Sequence, residues 1–79
     1  QGIKIDVENF EYYALMGGKR IIEKNHPIIY AELWDNENRK KCIGLLGQMN
    51  YNVNVIDDNK LVPYNHKQHK GQNFIFLPN

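Results

Sequence analysis

An α/β fold, with helical crossovers over a mostly parallel sheet, is predicted by three features of the sequence. Segments with a two-residue apolar period alternate with segments of helical period, in the order β-α-β-α-β-β. The first three strands are each separated by enough chain for a helical crossover. No helix separates the last two strand segments, which predicts an antiparallel last strand at one end of the sheet.

Gly2 to Val7 reads as the first strand, because Ile3, Ile5 and Val7 alternate with Lys4 and Asp6. Residues 10–24 read as a helix with Phe10, Ala14, Gly17, Gly18 and Ile21 near one face. Gly17 and Gly18 are poor helix formers, which predicts either close approach of that face to the sheet or a helix that frays or bends there. Asn25 and Pro27 stop the helix. "PIIYAEL" is a short apolar run that predicts a buried strand. "WDNENRKKCIGLLGQMN" predicts the second helix, capped by Asp35 or Asn36, with Cys42, Leu45, Leu46 and Met49 on its buried face. "YNVNVID" alternates as a half-buried strand near a sheet edge, "DDNK" is a turn, and "KLVPY" is a short strand broken by Pro63. "NHKQHKGQ" is a polar loop, and "NFIFLP" is the last strand.

The 79 residues and a formal charge of +1 allow one small domain or part of one. The balanced charge argues against a nucleic-acid or membrane-surface binder. One cysteine, Cys42, makes no internal disulfide, so a reducing, cytoplasmic setting is expected. No segment is long enough to span a bilayer. A strand begins at once after Gln1, which predicts a piece of a longer protein.

The chemistry-bearing residues concentrate where the first strand meets the first helix. In open α/β sheets ligands bind at the carboxyl ends of the parallel strands. Asp6 and Glu8 follow the first strand and Glu32 closes the second, so neighbouring strands would bring three carboxylates to one rim. Such a rim suits general-base chemistry. Glu11 falls in the first helical turn, where an acid complements the helix dipole. Trp34, just past Glu32, suits stacking on a sugar or covering the next helix.

"IKIDVENFEYYALMGGKRIIEKNHPIIYAEL" resembles the second half of the FkbM-type methyltransferases, whose pattern runs K-I-D-V-E-G-F-E, then L-x-G-A, then a Pro-led strand ending in Glu. Lys4, Ile5, Asp6, Val7, Glu8, Phe10 and Glu11 match the first block, Leu15 and Gly17 the second, and Pro27 and Glu32 the third. "NYNVNVIDDNKLVPYN" and "NFIFLPN" look like the family's C-terminal strands. Asn9 stands where the family has Gly, which predicts a positive φ at Asn9. The resemblance implies a partial class I methyltransferase (Rossmann-like) sheet spanning residues 1–79. Its cofactor would be S-adenosylmethionine, and its reaction O-methylation of a small-molecule hydroxyl, such as a sugar's. It assigns catalytic roles to Asp6, Glu8 and Glu32 and acceptor binding to Trp34. The donor-binding Gly-rich loop would lie in an absent N-terminal half, leaving this chain inactive alone. The strand at 2–7 would then be an open edge, a site for homodimer pairing.

Two other readings fit the same residues. Asp6-x-Glu8 also suits a two-metal nuclease, with Asp57 and Asp58 as further carboxylates. A small α/β interaction module, or an inactive remnant of the fold, fits the length equally. His66 and His69 have metal-ligand spacing but lie in a polar loop with His26 elsewhere, and nothing near Cys42 would activate it as a nucleophile.

Overall fold

The computed structural model describes residues 2–6 and 9–79. The elements are β1 (Gly2–Ile5), α1 (Glu11–Gly17), α2 (Lys19–Asn25), β2 (Ile28–Glu32), α3 (Glu37–Gln48), β3 (Tyr51–Asp57), β4 (Lys60–Pro63) and β5 (Asn73–Pro78). The mixed α/β class and the position of each strand agree with the reading of the sequence. The sheet itself corrects it.

The strands lie in the order β1-β2-β5-β3-β4. Among the described residues only β1 and β2 pair parallel; β5 is antiparallel to both β2 and β3, and β4 is antiparallel to β3. The sheet is therefore mostly antiparallel, not mostly parallel. β1, β2 and β3 still point the same way, as their helical crossovers require. The change arises because β5 inserts between β2 and β3 rather than adding at an end. Its apolar content explains the central place: Phe74 and Phe76 are each 1% exposed, and a central strand covers such side chains best. Pro63 is tolerated because β4 is an edge strand.

All helices that pack on the sheet lie on one face. Ile5, Ile29, Ala31, Leu33, Phe74, Phe76, Tyr51 and Val55 point there and join Leu15, Ile22, Cys42, Leu45, Leu46 and Met49 in the core. The other face carries Tyr30 and Ile56, both at least half exposed. β2 is thus buried on one side only, which is why its burial alternates rather than running continuously.

The helix expected over 10–24 is two short helices joined at Gly18 (φ −96°, ψ 10°). Its hydrogen bonding continues across the joint, from Gly18 N–H to Ala14 O and from Ile22 N–H to Gly18 O. The glycine pair bends the helix without seating it on the sheet, since a Cβ at Gly17 would meet nothing within 4 Å. The buried side is also rotated from the expected one. Glu11, Leu15 and Ile22 face inward, while Phe10 and Ile21 are 64% and 60% exposed. Packing against α3 turns the Leu15 side inward instead of the face read from the sequence.

Local signals elsewhere hold. Asn36 caps α3, its Oδ1 accepting from Arg39 N–H at 3.3 Å. Asp58 and Asn59 both have positive φ in the two-residue turn joining β3 to β4. Asn9 has φ 74°, as predicted for the position where the resembling family carries Gly. Among the described residues no helix is long and apolar enough to cross a membrane.

Candidate active site

β1 and β2 run side by side with Ile5 opposite Ala31. Both of those side chains enter the core, so alternation sends the next residues, Asp6 and Glu32, to the helix-free face. There they line one cavity of about 800 Å³ at the carboxyl ends of the two strands. Of the carboxylates expected on one rim, the structure brings Asp6 and Glu32 to this one cavity. Glu8, the third predicted carboxylate, and Val7 lie outside the described residues.

Lys4 and Tyr30, one step back on the same face, form the floor beside them, and residues 68–72 supply the far wall. Trp34 is 41% exposed and does not line the cavity. Tyr30, not Trp34, lines it, half exposed. The carboxylates are solvent-exposed and can accept hydrogen bonds from hydroxyl groups, while Lys4 and Lys70 supply positive charge.

The far wall is held by two pins. Arg39 is 6% exposed; its Nε and Nη2 donate to Leu33 O at 3.1 and 2.7 Å, and Nη2 also reaches Gly71 O at 3.4 Å. Its guanidinium lies 4.9 Å from the Phe74 ring centroid. Leu33 N–H donates to Gln72 O, so the end of β2 and the loop are joined directly. The second pin is His69. Asn65 N–H donates to its Nδ1 at 2.9 Å, which leaves the ring proton on Nε2, 3.3 Å from Asp57 Oδ2. With both ring nitrogens engaged, His69 orders the loop instead of offering a free lone pair. Among the described residues no group of three or more His, Cys, Asp or Glu side chains is arranged to hold a metal ion. Asp57 lines the same cavity as Asp6 and pairs with His69, and Asp58 sits in the β3–β4 turn.

Glu11 begins α1 as predicted but does more than complement a dipole. It is 1% exposed, and its Oε1 accepts from Asn38 Nδ2 at 2.8 Å. Asn38 Oδ1 in turn accepts Tyr12 N–H at 3.1 Å and the Cys42 thiol at 3.9 Å. Asn36 Nδ2 donates to Asn9 Oδ1 at 2.7 Å, so the starts of α1 and α3 are tied at two points. Burial, aided by the nearby Glu11 charge, pushes the Cys42 thiol up to about 12, which removes it as a nucleophile.

Arg39, Asn38 and Tyr30 were not singled out from the sequence; the loop was, but as a polar segment with His66 and His69 at metal-ligand spacing and not as a cavity wall. Arg39 was findable: it lies three residues before Cys42, on the buried stripe of α3, and a guanidinium on an apolar stripe needs buried acceptors. Tyr30 had no local signal, and the polar composition of the loop marked it as a loop without saying where it packs. Compared with models of known families, with curated proteins and with solved structures, the chain matches none.

Proposed function

We propose that this chain is the acceptor-side, C-terminal half of an S-adenosylmethionine-dependent O-methyltransferase of the FkbM type. The observation that carries the reading is the pair Asp6 and Glu32, side by side at the carboxyl ends of parallel strands and lining one cavity. The positive φ at Asn9 and the antiparallel last strand also support it. In this reading the acceptor hydroxyl sits on the rim. Asp6 or Glu32 would accept its hydrogen bond, align the oxygen and take its proton, while the donor would supply the methyl group and leave as the S-adenosylhomocysteine thioether. Positioning for in-line displacement supplies much of the rate. Glu8 belongs to the same acceptor rim on the grounds of the sequence pattern alone. Trp34, beside the cavity, would contact only an acceptor long enough to extend past Glu32. The donor, S-adenosylmethionine, would be held by an N-terminal half with its own Gly-rich loop.

Calorimetric titration of S-adenosylmethionine and S-adenosylhomocysteine tests this, using the 79-residue chain and a longer protein that contains it. Binding by the longer protein alone is expected, with turnover lost in Asp6→Asn and reduced in Glu32→Gln. Binding by neither would sink the enzyme reading.

The second reading, a small α/β interaction module, is favoured by one observation: the sheet face opposite the helices is uncovered, with Tyr30 and Ile56 exposed.

A further inference from the structure

We infer that the outward flank of α1–α2 is a contact surface for an anionic lipid bilayer. The inference goes beyond methyl transfer and does not rest on it.

Tyr13 and Arg20 precede the buried Leu15 and Ile22 by two residues each, about 200° around the helix, so they face away from the core. Phe10, Met16, Ile21 and Lys24 fall on either side of them. All six are exposed, Phe10 by 64%, Tyr13 by 65%, Ile21 by 60% and Met16 by 45%. The Phe10 and Tyr13 ring centroids lie 6.5 Å apart, so their apolar surface is continuous. The four apolar side chains together offer on the order of 500 Å², as much as the largest patch on an ordinary monomer.

Charge on this flank is one-sided. Arg20 and Lys24 stand among the apolar side chains, and Lys41 of α3 holds its Nζ 5.6 Å from the Tyr12 ring on the adjoining side. Of the two acids between residues 10 and 25, Glu11 is buried against Asn38 and Glu23 is exposed. The formal charge of +1 conceals this excess, because Asp6, Glu32 and Asp57 gather at the cavity instead. Salt screens charges beyond about 8–10 Å, so a membrane responds to the local excess and not to the total.

Lipid fits this surface better than a protein does. A protein hot spot seats an aromatic or arginine anchor in a pocket. None of the six side chains lines the cavity at Asp6 and Glu32 or the smaller ones beside Tyr64 and Tyr51. A fluid bilayer needs no pocket. The two rings, Met16 and Ile21 enter the headgroup boundary, while the Tyr13 hydroxyl and the ends of Arg20 and Lys24 stay level with the phosphates.

Vesicle flotation of the 79-residue chain tests this, with far-UV circular dichroism to confirm that each variant folds. Phosphatidylcholine vesicles with roughly one-third phosphatidylserine should carry the chain, and pure phosphatidylcholine should bind it about tenfold less. Arg20→Gln/Lys24→Gln should weaken binding roughly 25-fold, since each cation near an anionic surface contributes about fivefold. Phe10→Ser/Tyr13→Ser should weaken it about tenfold or more. Lys60→Gln/Lys67→Gln removes the same charge from β4 and the loop after it, and should change binding less than about twofold. No binding to the phosphatidylserine vesicles overturns the proposal. So does a loss in Arg20→Gln/Lys24→Gln no greater than in Lys60→Gln/Lys67→Gln, which would be a response to net charge alone. Self-association in sedimentation equilibrium that Phe10→Ser/Tyr13→Ser abolishes, without vesicle binding, overturns it by assigning the flank to a second copy.

Discussion

Replacing Arg39 with Met keeps the length of the side chain and removes the guanidinium. The structure sets the cost. Leu33 O loses two charge-assisted donors and Gly71 O a longer one, in a place where Arg39 is 6% exposed. A hydrogen bond to a charged group contributes about 1.5–3 kcal/mol, and the desolvated cation over Phe74 adds about 1 kcal/mol. The ion pair with Asp35 is discounted, because that carboxylate is 90% exposed. Counting the fork onto Leu33 O as one such bond of about 2 kcal/mol and neglecting the long one to Gly71 O, the expected loss is about 3 kcal/mol, against a total stability of between about 4 and 12 kcal/mol for a chain this size. In urea unfolding, with a slope of about 1 kcal/mol/M, the midpoint should fall by about 3 M. Arg39→Lys keeps one donor but not the fork and should lie between the two. Hydrogen exchange adds a local readout: the Leu33 amide, bonded to Gln72 O, should exchange faster than the α3 amides. A loss below about 1 kcal/mol, with the Leu33 amide unchanged, would refute the idea that Arg39 pins the cavity wall.

Other substitutions test the seam and the turn. Asn9→Val should cost about 2 kcal/mol, because a β-branched residue is strained at φ 74°, whereas Asn9→Gly should stay within about 0.5 kcal/mol; thermal melts distinguish them. Asn38→Ala removes the partner of Glu11, Tyr12 N–H and Cys42 at once and should cost about 2 kcal/mol in denaturant unfolding. Stability should fall as pH rises above 9.0, where the unfolded thiol ionises, and keep falling until about 12, where the folded Cys42 does. The buried Tyr51 phenol, also raised, adds to the loss in the same direction, so Cys42→Ala should remove only part of it. A thiol reagent at pH 8 should modify Cys42 only after denaturation.

Asn9, Asn36, the Asp58–Asn59 turn and the Cys42–Leu45–Leu46–Met49 stripe were legible in the sequence. Each depends on backbone sterics or a hydrogen bond within a few residues. Asp6 and Glu32 were legible as a pair for a related reason. A helical crossover of that length makes two strands parallel, so their ends fall on one rim. Three other features were decided only by tertiary structure: the central place of β5, the flank of α1–α2 that turns inward, and the loop that walls the cavity. β5 takes its place because Phe74 and Phe76 gain most from the cover of both β2 and β3. The inward flank of α1 follows from Asn38 and Glu11 meeting across residues far apart in the chain. The loop's position depends on Arg39, a residue more than thirty positions from Gly71. Pairings over such separations leave no periodic trace in either partner's own segment, because the free energy that selects them exists only once both are packed.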